Sequence, residues 1–178
     1  MESMSNLDFS YDIFQHNIGF TPQGVHVNHM RGKSEDILPY LMDNDFDIMY
    51  IDGNHSYENV LFDIRSAKRL VKIGGFICGD DLEAQGSECD LNIIKKYITH
   101  DYLGIPETGL QCHPGVTLAV HEEFGEVSAY SGFWIMRKTS DTTFEKVALF
   151  NQNGFISQHF PDEIKQEVQA SLKALGLT

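Results

Sequence analysis

The apolar positions of the chain fall into short continuous runs that alternate with segments spaced at three and four residues. Residues 48–51 form such a run and predict a strand that is covered on both faces. The segment that follows predicts a helix that begins near Ser56 and ends before Gly74 and Gly75. Residues 76–79 predict a second buried strand, which completes a strand-helix-strand unit. The helix carries its apolar positions at Val60, Leu61, Ile64, Ala67 and Val71.

Further elements are predicted on both sides of this unit. Towards the N-terminus we expect a short helix capped by Asn6 and ended by Gly19, a strand at residues 25–30, and a helix capped by Ser34 that runs through Leu41. Towards the C-terminus we expect a helix around Ile93 and Ile94, a loop at residues 99–113, a helix from Pro114 to Gly125, strands at residues 130–136 and 144–150, and a helix opened by Pro161.

This alternation of strands and helices predicts an α/β fold. We expect a Rossmann-like, mostly parallel sheet with helices on both faces, and an antiparallel strand pair at the C-terminal edge. The chain has neither G-x-G-x-x-G nor G-x-x-x-x-G-K, the glycine-rich loops that nucleotide-binding folds carry after a strand. Its 178 residues, of which 42% are hydrophobic, are enough for one core, so residues 1–178 are expected to form a single domain.

Composition narrows the classes of partner. The formal net charge of −13 at pH 7 repels nucleic acid and anionic membranes, so neither is expected as a partner. The three cysteines show no C-x-x-C spacing, which argues against a zinc knuckle or a disulfide framework. Neither an export signal nor a run of about 18 apolar residues is present, and a cytoplasmic protein is expected.

Acidic residues follow both strands of the central unit. Asp52 and His55 come after the first strand, and Asp80 and Asp81 come after the second. Because the carboxyl ends of neighbouring parallel strands open into one crevice, these side chains are expected to face each other. Three carboxylates and an imidazole at one edge indicate a metal-assisted reaction.

Other interpretations of the same residues remain open. Asp-Gly and Asp-Asp are common in turns, so Asp81 could cap a local turn, and His55 could cap the following helix. His26 and His29 resemble a ligand pair, but two residues three apart on a strand point to opposite faces. Trp134 is expected in the core. The simplest interpretation of a further acidic group is a solvated helix end: Glu122, Glu123 and Glu126.

A set of motifs in a fixed order carries a family resemblance. Residues 51–57 read I-D-G-x-H-x-Y, a Gly-Gly pair precedes the next strand, and that strand ends in Asp80-Asp81. Residues 113–124 read HPGVTLAVHEEF, and residues 133–138 read FWIMRK. In this order the motifs resemble class I S-adenosylmethionine-dependent methyltransferases, and most closely the small-molecule, metal-dependent O-methyltransferases. The similarity runs from about the first helix to about Lys138, as a family-like core at residues 21–138.

The resemblance implies a metal and a base. It implies a divalent cation, usually Mg²⁺, held by Asp52, Asp80 and Asp81, with Asp52 and His55 as the catalytic pair and His55 as general base. Hard cations prefer carboxylate oxygens, which agrees with this set. A cation that binds two neighbouring substrate hydroxyls lowers the pKa of one of them, so that an imidazole can remove its proton near neutral pH.

The resemblance also implies that the part of the family fold that holds most of the cofactor is missing. In the family, a glycine-rich loop and an acidic residue that hold the cofactor precede the part seen here, so the chain is expected to be an N-terminally truncated form. The remaining S-adenosylmethionine contacts would come from Gly32, Lys33 and Ser34 on the adenine side and from Asp52 and Gly53 on the sulfonium side. A gap in the sheet would expose backbone groups, so a homo-oligomer or a partner chain that completes the sheet is expected.

Three hypotheses for function follow. The first is S-adenosylmethionine-dependent O-methylation of a small acceptor, which would be a sugar, a vicinal diol or a phenol. The second is a non-catalytic remnant of the methyltransferase fold that acts as a binding or assembly subunit, which the missing glycine-rich loop favours. The third is a metal-dependent hydrolase that uses the same aspartates and histidine.

Overall fold

The structure is a computed structural model that describes residues 6–105, 109–149 and 160–174. The chain divides into two compact units, Met1–Ile37 and Leu38–Thr178. The helices are α1 (Asn6–Ile18), α2 (Ser34–Ile37), α3 (Tyr57–Leu70), α4 (Leu91–Lys96), α5 (Pro114–Phe124) and α6 (Asp162–Ala174). The strands are β1 (Phe46–Ile51), β2 (Val71–Leu82), β3 (Leu103–Ile105), β4 (Leu110–Cys112), β5 (Ser128–Tyr130), β6 (Gly132–Lys138) and β7 (Phe144–Lys146).

The first unit contains α1, α2 and the segment between them. Within it, the Arg31 guanidinium lies 4.4 Å from the centre of the Tyr11 ring, and the His29 ring packs 4.6 Å from that of Phe14. The predicted strand at residues 25–30 is wrong, because this segment pairs with no described strand. Its apolar side chains are exposed, so the segment gains neither the ladder hydrogen bonds nor the burial that stabilise a strand.

The helix predicted from Ser34 through Leu41 is shorter than expected. α2 ends at Ile37, and a 3₁₀ turn, Leu38–Tyr40, follows it. Pro39 explains the change, because a proline has no backbone N–H to donate and disfavours the α conformation in the residue before it.

The second unit is built on a mixed sheet with the strand order β1-β2-β6-β5, and β7 also pairs with β6. Only β1 and β2 are parallel, whereas the three pairs that involve β6 are antiparallel. The predicted mostly parallel sheet is therefore wrong. A tight turn is the physical reason for the β5–β6 pair: Ser131 and Gly132 both have positive φ, 50° and 89°, as a two-residue hairpin turn requires.

The helices that contact this sheet lie on one of its faces. α3 and α5 pack against each other and share a core with β1, β2 and β6, which corrects the expectation of helices on both faces for the part of the second unit that is described. β1 shows the difference most clearly: Met49 and Ile51 pack against the core, whereas Ile48 and Tyr50 are 57% and 53% exposed. The shared core includes Val60, Ile64, Ala67, Ile77, Val116, Val120, Trp134 and Met136.

Polar contacts join the same two helices. Glu123 on α5 accepts hydrogen bonds from Arg65 Nε at 2.8 Å and from Lys68 Nζ at 2.7 Å, both on α3. Its side chain is only 14% exposed. The prediction that this acidic group is a solvated helix end is therefore wrong for Glu123, which takes part in packing.

A buried lysine closes the C-terminal end of α3. The Lys138 ammonium donates to the carbonyl oxygens of Lys68 and Val71, both at 2.8 Å, and to Asn44 Oδ1 at 2.9 Å. The last carbonyl groups of a helix have no partner within the helix, and a cation placed there satisfies them and complements the helix dipole. Lys138 therefore joins β6 to α3.

A small hairpin stands where a loop was predicted. β3 and β4 pair antiparallel within residues 99–113 and form a separate two-stranded sheet. A second apolar cluster lies beneath it, formed by Ile94, Leu103, Cys112 and Leu118.

Among the described residues, no helix combines the length and the apolar character that a membrane crossing requires.

Candidate active site

The parallel pair β1–β2 places the predicted site residues at one edge of the sheet. Ile51 pairs with Gly79, so Asp52 and Asp80 are the next residues at the ends of two adjacent strands. Gly79 allows this close approach, because a Cβ atom there would lie 2.6 Å from Ile51 O and 2.7 Å from Trp134 Nε1. The strand-helix-strand pattern therefore predicted correctly that these residues share an edge.

Asp80 and Asp81 have different partners. Asp80 Oδ2 accepts a hydrogen bond from the Tyr50 hydroxyl at 3.2 Å, and Asp80 Oδ1 accepts one from the backbone N–H of Asp81 at 3.0 Å. Asp81 has a φ of 63°, in the left-handed region that few non-glycine residues adopt, and its carboxylate is instead in contact with His55. Desolvation and the charge of Asp80 raise the pKa of Tyr50, which keeps its hydroxyl in the donor form.

His55 is held between two carboxylates. Its Nε2 lies 2.9 Å from Asp81 Oδ2, and its Nδ1 lies 3.0 Å from Asp101 Oδ1. The ring is 27% exposed, while the Asp101 side chain is 79% exposed. Nothing supports the alternative that His55 caps the following helix. It is the Asn54 side chain that accepts a hydrogen bond from the backbone N–H of Ser56, at 2.8 Å.

A second histidine, His113, stands beside the first. The two ring centroids are 4.5 Å apart, and the rings meet at 64°. His113 Nδ1 lies 2.9 Å from Glu83 Oε1, and the backbone N–H of His113 donates to Glu83 Oε2 at 3.2 Å. Sequence reasoning assigned no role to His113, Glu83 or Asp101.

One signal in the sequence could have identified His113. Pro114 and Gly115 follow it, and proline in the first turn places His113 at the N-cap of α5. A Cβ atom at Gly115 would lie 2.1 Å from His55 O, so glycine lets the start of α5 touch the backbone at His55. A His-Pro-Gly sequence at a helix start therefore marks a position next to the β1–α3 loop.

The described residues contain three groups whose donor atoms are close enough to hold a metal ion. They are Asp52, His55 and Asp81; Asp81, Glu83 and His113; and His55, Asp101 and His113. Asp80 belongs to none of them. Asp52 and Asp81 fit a hard cation by their donor chemistry, but the imidazole beside them is a ligand typical of transition metals. The predicted magnesium set of Asp52, Asp80 and Asp81 thus stays a prediction.

A small cleft lies beside these groups, and Trp134 is among the residues that line it. Trp134 is 1% exposed and belongs to the hydrophobic core, as expected, and its Nε1 has no hydrogen-bond partner among the described residues. A buried indole N–H without an acceptor is rare and marks a place where an oxygen atom of a ligand or a water could bind. The cleft is lined by Ile51, Asp52, Gly53, Asn54, His55, Val60, Asp80, Asp81, Val116 and Trp134.

The predicted cofactor residues fall into both units. Gly53 and Asp52 line the cleft in the second unit. Gly32, Lys33 and Ser34 lie in the first unit, where Lys33 Nζ donates to Glu35 Oε1 at 3.2 Å and Ser34 begins α2. Cofactor binding by these residues stays a prediction.

Comparison with known proteins gives two matches. A family model described as a methyltransferase domain matches residues 10–82, which is fewer than half of the 178 residues. An uncharacterized protein of Acanthamoeba polyphaga mimivirus is 36% identical over 70 residues. The aligned segment covers 37% of this chain and 32% of that protein, so it spans about a third of the length of that relative.

No solved structure matches the chain. The family match ends at Leu82, so it includes Asp52, His55, Asp80 and Asp81 but not His113. It supports a methyltransferase function, and with it S-adenosylmethionine as the cofactor.

Proposed function

We propose that this protein is an S-adenosylmethionine-dependent methyltransferase that methylates a hydroxyl group of a small molecule, with His55 as general base. The observation that carries the proposal is the pairing of His55 Nε2 with Asp81 Oδ2 at 2.9 Å, at the carboxyl edge of β1 and β2. This edge lies within the segment that matches the methyltransferase domain model. In open α/β sheets, ligands bind at that edge.

The two contacts of His55 suggest which nitrogen accepts the proton. Asp81, on β2, is 28% exposed, whereas Asp101 is 79% exposed, so a substrate displaces Asp101 more easily. Asp81 then holds the proton on Nε2 and leaves Nδ1 as the acceptor, in the way that a carboxylate orients the histidine of a catalytic triad. Asp81 acts in this arrangement as a positioning residue.

When bound, S-adenosylmethionine would supply an electrophilic methyl group for transfer to a substrate oxygen. The chain contributes proton removal at His55 Nδ1. Sugars, vicinal diols and phenols remain the acceptor classes that we propose.

In this proposal, Asp52 and Asp81 are the residues that would bind a divalent cation such as Mg²⁺. Their carboxylates would hold the ion, and it would lower the pKa of a bound substrate hydroxyl. Asp80 accepts a hydrogen bond from the Tyr50 hydroxyl and belongs to none of the three groups of converging donor atoms, so the proposal does not use it as a ligand.

A binding and transfer experiment tests the function. Calorimetry should detect S-adenosylmethionine binding by the full chain, and radiolabelled methyl transfer should be measured over a panel of sugars, diols and catechols. His55→Gln should lower kcat by about 10²-fold or more while the Kd for S-adenosylmethionine stays within about threefold. His26→Gln, at an exposed histidine of the first unit, is the matched control.

Two results would contradict the proposal. Failure of the full chain to bind S-adenosylmethionine would reject a methyltransferase, and the non-catalytic hypothesis would then stand. Full activity in His55→Gln would reject His55 as the base. The homo-oligomer or partner chain and the cytoplasmic location stay predictions from the sequence.

A further inference from the structure

Two imidazoles and a carboxylate converge next to the cleft. The His55 and His113 ring centroids are 4.5 Å apart, and Asp101 Oδ1 lies 3.0 Å from His55 Nδ1. One donor atom from each of the three residues lies within 4.8 Å of the other two. We propose that His55, His113 and Asp101 bind a divalent transition-metal ion, with Zn²⁺ as the representative.

The donor chemistry selects this class of ion. Imidazole nitrogens are common ligands of zinc, iron, nickel and copper, whereas Mg²⁺ takes oxygen ligands almost alone. Ligand atoms bonded at about 2.0–2.1 Å to a tetrahedral zinc lie about 3.4 Å from one another. The 3.0 Å between His55 Nδ1 and Asp101 Oδ1 is close to that spacing, and His113 offers a donor atom within 4.8 Å of both residues.

A second set of carboxylates orients both rings. His55 Nε2 contacts Asp81 Oδ2 at 2.9 Å, and His113 Nδ1 contacts Glu83 Oε1 at 2.9 Å. Histidines that bind metals usually donate their other ring N–H to such a group, which fixes the tautomer and increases the basicity of the ligating nitrogen. This pattern leaves His55 Nδ1 and His113 Nε2 for the ion.

The exposure of the three ligand side chains allows an ion to enter the site from solvent. The side chains of His113 and His55 are 13% and 27% exposed, and the Tyr102 ring packs 5.2 Å from that of His113. Asp101 is 79% exposed, so one ligand comes from the surface while the two rings are held by packing. Such a site can capture an ion from solvent without rearrangement of the sheet or of α5.

The metal-site proposal does not require the proposed methyl transfer to be correct. If the proposed function is correct, one further consequence follows from it: the ion occupies His55 Nδ1, the nitrogen assigned as base, so Zn²⁺ inhibits the reaction. Calorimetric titration of the full chain with ZnCl₂, without S-adenosylmethionine, measures binding alone.

The expected result is one equivalent of Zn²⁺. His113→Asn and Asp101→Asn should each weaken binding at least tenfold, while His26→Asn, at an exposed histidine of the first unit, should leave the Kd within about twofold. Asparagine is a favourable N-cap residue, so His113→Asn keeps a good start for α5. Thermal unfolding without metal checks that each variant folds.

Asp52→Asn separates this site from the neighbouring group of Asp52, His55 and Asp81, and it should leave the Kd for Zn²⁺ within about threefold. Absence of binding by the wild-type chain would overturn the proposal. So would binding that Asp52→Asn abolishes and a folded His113→Asn retains. A chain that binds Zn²⁺ in this manner but not S-adenosylmethionine would support the metal site and reject the methyltransferase.

Discussion

Gly115, in the first turn of α5, lies directly against the carbonyl group of His55, where a Cβ atom would be 2.1 Å from the oxygen. The same atom would lie 2.6 Å from the backbone nitrogen of Tyr57, so both neighbours are main-chain atoms that cannot rotate away. This contact sets the distance between α5 and the β1–α3 loop. It also brings His113 next to His55.

Gly115→Ala should therefore separate α5 from the β1–α3 loop. We expect a loss of about 1–3 kcal/mol in the free energy of unfolding, as for other overpacked sites, and weaker Zn²⁺ binding because His113 moves with the helix. Urea denaturation measures the first effect and calorimetry the second. Gly104→Ala on β3, where the nearest atom would be 3.9 Å away, is the control and should change neither quantity much. Equal stability of the two variants would show that the contact does not fix α5.

Glu123 makes stability depend on pH. Burial alone would raise the pKa of Glu123, but the hydrogen bonds from Lys68 and Arg65 outweigh it and lower the pKa below its ordinary value. A carboxyl whose pKa is lower in the folded state stabilises the protein above its unfolded pKa of about 4.3 and loses that contribution as the pH falls. Glu123→Gln should thus destabilise the protein at pH 7, by about 1 kcal/mol.

The difference between wild type and Glu123→Gln should shrink as the pH falls from 5 towards 3. Urea unfolding at a series of pH values measures it. Glu58→Gln removes an exposed acid of α3 and is the control, with little effect at any pH. A Glu123→Gln penalty that is the same at pH 3 and pH 7 would mean that packing, and not the charge, holds the two helices together.

Cys112 should be an unreactive thiol. Burial raises its pKa to about 11, and its side chain is fully buried. At pH 8 about one such thiol in a thousand is a thiolate, the form that reacts with alkylating reagents. Mass spectrometry after iodoacetamide treatment at pH 8 should show Cys112 labelled at least 100-fold more slowly in the native protein than in urea. Comparable rates in the two conditions would mean that the second apolar cluster opens readily.

Lys138→Met should destabilise the protein by about 2–4 kcal/mol. The ammonium of Lys138 satisfies two carbonyl oxygens at the end of α3, and methionine leaves them buried without a donor. Chemical denaturation measures the effect. Lys146→Met is the control, since Lys146 is half exposed and forms a surface ion pair with Glu126. Similar small losses for both variants would show that water replaces the ammonium.

The sequence predicted best those helices that have regular apolar spacing and capping residues. α3, α5 and α6 were recognised from their apolar spacing and their capping residues, and α5 runs from Pro114 to Phe124 as expected. The predicted end of α3 before Gly74 was wrong, because α3 ends at Leu70 and Val71 already begins β2. The strand at residues 25–30 was wrong because alternating valines indicate a strand only where a partner strand is available. The parallel β1–β2 pair and the antiparallel β6–β7 pair agree with the prediction, but the antiparallel pairing of β6 with β2 and β5 was not predicted, and the hairpin turn at Ser131 and Gly132 was not recognised.

The sequence predicted which edge of the sheet carries the candidate site, but not all of the residues that form the site. Asp52 and His55 follow β1 and Asp81 lies near the end of β2, so their shared location follows from parallel pairing. Asp101 and His113 come from a connection and a helix start far along the chain, and no local periodicity encodes their approach. The different partners of Asp80 and Asp81 depend on the positive φ of Asp81, which the dipeptide does not reveal.

The central position of β2 has a consequence for motion. This strand pairs with β1 on one side and with β6 on the other, and it carries Gly79, Asp80 and Asp81 near its end. Backbone amides of such a strand exchange with solvent mainly when the whole unit unfolds, whereas exposed connections open on their own. The backbone that carries Asp81 therefore belongs to the central strand of the sheet, whereas the backbone that carries Asp101 lies in a connection that can open locally, so the two carboxylates that contact His55 differ in how firmly their backbone is held.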